Sequence, residues 1–136
     1  MINTRFSVAV HIISLIAAYP AEQHSSEWIA GSVNTNPVVI RRITGLLKRA
    51  GLVSTTPGVA GITLNKCPSE ISLLEIYHAV ILDDALFSVH EETNPNCPVG
   101  RNIQGALNDT FKDAQLAMEQ VLANKTVADV VQDLKQ

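Results

Sequence analysis

The stretch NPVVIRRITGLLKRAGLV, residues 36–53, carries its own start and stop signals. Asn36 is a preferred helix N-cap, and Pro37 suits the first helical position, where a missing N–H is no loss. Ile40, Ile43 and Leu47 then recur at helical spacing and form one apolar stripe. Gly51 can take the left-handed conformation that closes a helix. The pattern predicts a helix from Pro37 to about Ala50, with a buried stripe and with Arg41, Arg42, Lys48 and Arg49 off that stripe.

Upstream, Phe6 to Ala18 is apolar and reads as a first helix, with Phe6, Val10, Ile13 and Ala17 on its inner stripe and Pro20 at its end. The same run loosely imitates a secretory leader behind Arg5. His11 and Ser14 interrupt it, and Tyr19-Pro20-Ala21 is a poor cleavage site. Ser25 or Ser26 can cap a second helix through Val33, with Trp28 and Ile29 as buried anchors. Asn34 to Pro37 is the turn into the third helix.

Downstream, Leu52–Thr55 and Ile62–Leu64 are β-prone runs around a Pro/Gly turn spanning Thr56 to Gly61, which is a hairpin signal. Ser72 and Glu75 have capping-box spacing inside a helix of about Glu70 to Ile81. Residues 83–98 have no period. A long helix over about 98–122 carries Ile103, Leu107, Phe111, Ala114, Met118 and Val121 at a sustained three-to-four spacing. Thr126 and Asp129 open a last short helix. The fold class is therefore mainly α with a small β-hairpin: a winged helix-turn-helix over residues 1–66, then a region over 67–136 whose long stripe one short neighbour cannot bury, so that its expected role is dimerisation and sensing.

Composition narrows the function. The 136 residues are 46% hydrophobic but only 4% aromatic, so the core is aliphatic and the chain is not of disordered type. Two cysteines make no disulfide framework and suit a reducing cytoplasm. No apolar run approaches the ~20 residues of a membrane span. Net charge is −3, but it is unevenly spread. Residues 1–66 hold six basic and two acidic side chains; residues 67–136 hold four basic and eleven acidic ones. A basic half favours a polyanionic partner, and a double-stranded DNA operator fits four cations on one helix.

In a winged helix-turn-helix the third helix enters the major groove. Base contacts are expected from Asn36, Val38, Arg41 and Arg42, with Val38 suited to a thymine methyl; phosphate contacts are expected from Arg5, Lys48 and Arg49. Each of the arginines also has a plainer reading as a solvated surface charge.

The run Arg5-Phe6-Ser7-Val8, the segment Asn36 to Val53 and the glycines Gly58 and Gly61 ahead of Leu64 resemble the Rrf2 family of bacterial transcriptional regulators. The most specific part is Leu47-Lys48-Arg49-Ala50-Gly51-Leu52-Val53 followed by the glycine wing. Asn94-Pro95-Asn96-Cys97-Pro98-Val99-Gly100 looks most like cluster-free members from Gram-positive bacteria. The resemblance runs to about Val131 and implies a homodimeric repressor whose long helix pairs with its twin. Two departures stand out. The wing reads Pro57-Gly58 and Ala60-Gly61-Ile62, without the basic tip the family usually carries. Only Cys97 remains of the three cysteines with which members hold an iron–sulfur cluster, and one thiolate cannot hold one. No cofactor is expected.

Cys97 lies at the expected N-terminus of the long helix, where a thiol is acidified and can serve as a redox sensor. It can equally be a spectator. Cys67 reads as a small buried residue. His11 is expected to be partly buried or to face the second helix. His24, His78 and His90 lack metal-ligand spacing, and Asp83-Asp84 and Glu91-Glu92 read as solvated acids. No catalytic motif occurs, so the chain is not expected to be an enzyme. The rival from another class is a winged helix that docks a partner protein and binds no DNA.

Overall fold

The computed structural model describes residues 4–20, 24–82 and 87–135, apart from the side chains at 59 and 60. Six helices and one hairpin follow the order α1 (Arg5–Ala18), α2 (Ser26–Val33), α3 (Pro37–Arg49), β1 (Val53–Thr56), β2 (Val59–Leu64), α4 (Leu73–Val80), α5 (Pro98–Ala123) and α6 (Val127–Leu134), with a 3-10 turn at Pro68–Glu70. The chain is mainly α with a two-stranded antiparallel sheet, as the periodicity predicts.

Local chemistry sets the helix ends. The Ser25 side chain accepts from the Trp28 N–H to start α2, and the Asn36 side chain accepts from the Val39 N–H to start α3. At the far end of α3 the Gly51 N–H donates to the Lys48 carbonyl and the Leu52 N–H to the Leu47 carbonyl, with Gly51 at φ 81°. That is a Schellman closure, and it delivers Leu52 and Val53 into the core as the chain turns into the wing. Pro57 and Gly58, the latter at φ 78°, make the wing turn between the paired Thr56 and Val59.

The core is one aliphatic cluster. Ile12, Ile13, Ile29, Ile40, Leu47 and Val53 meet Ile71, Ile76, Val80 and Val127, so side chains from both sides of residue 66 share it. Segments 71–73 and 125–127 exchange backbone hydrogen bonds, Leu73 N–H to the Lys125 carbonyl and Val127 N–H to the Ile71 carbonyl. This crossing brings α6 back against α1.

Four expectations are corrected. The inner face of α1 is Ala9, Ile12, Ile13 and Ile16; Phe6, Val10 and Ala17 are only partly buried. The helix is apolar almost all round, so spacing alone does not choose its face, and its packing against α3, α4 and α6 does. Trp28 is 39% exposed rather than an anchor, stacked edge-on against His24 and Tyr19. Ser72 and Glu75 form their capping box at the start of α4, not inside it, because Pro68 holds a separate 3-10 turn ahead of it. Cys67 is exposed, not buried. Asp83 and Asp84 lie outside the described residues.

Candidate nucleic-acid interface

Helix α3 has two chemically distinct faces. Ile40, Ile43, Thr44 and Leu47 are buried, while Val38, Arg41, Arg42, Gly45, Lys48 and Arg49 are exposed. Within the exposed set, Val38, Arg42, Gly45 and Arg49 fall at i, i+4, i+7 and i+11, one straight stripe along the helix. Arg41 and Lys48 flank it on one side.

The flanking cations are held by neighbours. Arg41 pairs with Glu27 of α2 at 3.5 Å, both largely exposed. A surface pair of this kind contributes little to stability and orients the guanidinium at most loosely. Lys48 Nζ donates to Thr55 Oγ1 of β1 at 2.7 Å, which links the end of α3 to the wing. Asn36 is engaged as the N-cap, its Oδ1 accepting from Val39 at 3.1 Å. Val38 is 55% exposed at the first turn, an apolar side chain held out to solvent.

Arg5 is not brought to this face. It donates to the Val80 carbonyl at 3.1 Å, across 75 residues of sequence, and so ties the start of α1 to the end of α4. Between Val53 and Leu64 the wing contains no lysine or arginine. Lys66, just beyond it, is ion-paired with Glu75 at 2.6 Å. The structure therefore brings Val38, Arg41, Arg42, Lys48 and Arg49 together on one helix, with Asn36 as its cap. Gly45, which the sequence reading passed over, lies in their midst; its signal is a glycine in a helix interior, one turn beyond Arg42.

The long helix α5 buries none of its residues fully. Ile103, Leu107, Phe111, Ala114 and Met118 are half-buried, and Val121 is 69% exposed. The Phe111 ring packs on Phe87 with centroids 5.0 Å apart. Helix α5, 26 residues long, thus leaves an apolar stripe open to solvent.

Cys97 is the N-cap of α5 and half-buried. The backbone N–H groups of Gly100 and then Val99 favour its thiolate and lower its pKa. Gly100 is needed for this arrangement: a Cβ there would lie 2.6 Å from the Asn94 carbonyl oxygen, so only glycine lets the Asn94–Cys97 turn fold onto the helix start. Cys67 is the opposite case, its pKa raised by a hydrogen bond to Glu70 and by that carboxylate's charge. His11 Nε2 lies 2.9 Å from Ser32 Oγ, facing α2. Among the described residues no three His, Cys, Asp or Glu side chains come close enough to share a metal ion. Nor is any described helix long and apolar enough to cross a membrane.

Comparison with known proteins agrees with this architecture. The sequence profile of the Rrf2 family, described as an iron-dependent transcriptional regulator, matches residues 2–133. The chain is 54% identical over 134 residues to YwnA of Bacillus subtilis (strain 168), a protein named as a candidate HTH-type transcriptional regulator, covering 98% of this chain and 99% of that one. It is similar in structure to a crystallised candidate DNA-binding protein at 50% identity, with a TM-score of 0.76 and coverage of 93% and 97%. CymR, the global cysteine regulator of B. subtilis, shares the fold with a TM-score of 0.73 over 97% of this chain and 96% of its own, at 22% identity.

Proposed function

Because the chain belongs to the Rrf2 family of transcriptional regulators, a family that is not enzymatic, we propose that it binds a double-stranded DNA operator through the exposed face of α3 and acts as a homodimeric, cytoplasmic repressor. One observation carries this reading: Arg41, Arg42, Lys48 and Arg49 share a single exposed helix face beside the wing, while the acidic residues lie mostly in the other half of the chain. Arg42, on the central stripe, is suited to the edge of a guanine, and Val38 to a thymine methyl. Lys48 and Arg49 take phosphates, and the wing, lacking a cation, follows the backbone without gripping it. Arg5, tied to the Val80 carbonyl, serves DNA binding through the fold rather than by contact.

The second copy packs along α5, covering Ile103, Leu107, Phe111, Ala114, Met118 and Val121. Two recognition helices then face successive half-sites. Cys97 sits where the loop enters that helix, and its favoured thiolate suits a redox-sensing role. The family is described as iron-dependent, yet one protomer's described residues do not assemble an iron ligand set.

The test is binding to duplexes that the protein itself selects from a random pool, repeated across salt concentrations. Arg42→Ala should cost about 1–3 kcal/mol and relax preference at one position. Lys48→Ala should weaken all sequences alike and reduce the salt slope by about one. Binding without salt dependence, or no selected duplex at all, would instead favour a protein-docking winged helix.

A further inference from the structure

Gly45 occupies the middle of the exposed stripe of α3, between Arg42 and Arg49, and nothing inside the protein asks for a glycine there. A Cβ built on it meets no atom within 4 Å, and its φ is not in the left-handed region. Glycine is a poor helix former, because it gives up the most backbone freedom on folding. The residue therefore weakens the helix that the interface depends on, without any packing return. Gly31 and Gly105 have the same open surroundings, so that freedom alone singles out no site; what sets Gly45 apart is its place on the exposed stripe of α3 between two arginines, where a bare backbone permits close approach.

We propose that Gly45 is a specificity-determining position, the point where α3 seats closest to the DNA, and that its missing side chain leaves room for a base edge in the major groove. The inference rests on the reading of α3 as the groove helix and deepens it. The neighbours support this geometry. Arg42 lies one turn before Gly45 and Arg49 one turn after, so two long guanidinium side chains can reach outward on either side of a shallow notch. A notch flanked by long donors lets the helix axis approach while the donors keep their reach. Filling it pushes the helix outward and lengthens both contacts together.

The experiment compares Gly45→Ala with the parent, with Arg42→Ala and with Gly31→Ala, the last being an exposed helix glycine of α2 whose added Cβ also meets nothing within 4 Å. Each is measured for thermal unfolding and for binding to the duplexes the parent selects, against an unrelated duplex. Gly45→Ala should unfold at the same or a higher temperature, yet lose about tenfold or more in affinity for the selected duplexes, with little change on the unrelated one. Gly31→Ala should gain stability without that loss. The inference is overturned if Gly45→Ala binds the selected duplexes like the parent while Arg42→Ala does not, if it lowers stability, or if Gly31→Ala loses affinity equally. Should Arg42→Ala also bind like the parent, the groove reading of α3 itself fails.

Discussion

Lys48 of α3 and Thr55 of β1 are joined by a 2.7 Å hydrogen bond from the ammonium to the hydroxyl, so the last turn of the basic helix and the first strand of the wing share one contact. The bond holds the cation between helix and wing, and under the proposed binding mode that is where it would meet a phosphate. Removing the hydroxyl and removing the charge should then have different signatures. Thr55→Val keeps the charge, so the salt slope should stay while affinity drops a few-fold, about 1 kcal/mol or less. Binding measured at four or five salt concentrations checks this. An unchanged affinity in Thr55→Val would mean that the ammonium needs no positioning.

If a second copy packs along α5 as proposed, a charge placed on that stripe should separate the two copies. Val121 is 69% exposed in the protomer, so Val121→Asp should leave the fold intact and still bury a carboxylate at the proposed seam. Phe111→Asp is the harsher variant, since that ring also packs on Phe87. Sedimentation should show monomer for both, with an unaltered circular dichroism spectrum for Val121→Asp and much weaker operator binding, because two half-sites are no longer read together. A Val121→Asp protein that stays dimeric would move the interface off this stripe.

The two thiols should titrate apart. The Gly100 and Val99 N–H groups lower the Cys97 pKa, and Glu70 raises that of Cys67. Alkylation rates followed against pH should place the Cys97 midpoint below that of an unperturbed thiol and the Cys67 midpoint above it. If Cys97 is the sensor, peroxide converts its thiolate to sulfenic acid, releasing water or hydroxide, and lowers operator affinity until reductant restores it. Cys97→Ser should bind DNA normally and ignore the oxidant, whereas Cys67→Ser should respond like the parent. An oxidant response that persists in Cys97→Ser would end the sensor reading.

Closure of α3 should depend on glycine at one position. Gly51 sits at φ 81° in the turn that sends Leu52 and Val53 inward. Gly51→Ala places a Cβ in the left-handed region and should destabilise by about 1–2 kcal/mol. Urea unfolding should show a lower midpoint with an unchanged slope. No loss of stability would mean that the turn relaxes to another closure.

Much of this architecture is legible in short spans of sequence, because the forces that set it are local. Asn36 and Gly51 bracket α3 through bonds that reach at most five residues, Pro37 fits its first turn without needing an N–H, and Thr126 with Asp129 opens α6 in the same local way. The alternation of Ile40, Ile43 and Leu47 with cations needs only helical geometry to become a two-faced helix. Where the sequence is apolar on every side, locality runs out. Helix α1 has neighbours in α2, α3, α4, α6 and the wing, and their arrangement alone selects Ile12 and Ile16 over Val10 and Ala17 for the interior. Trp28 stays at the surface because Ile29 and Ala30 take the buried positions of a helix only eight residues long. Arg5 looks like a free cation until Val80, 75 residues away, presents a carbonyl at the open end of α4. These outcomes are tertiary: each turns on which partner surface arrives, and that information lies in distant parts of the chain.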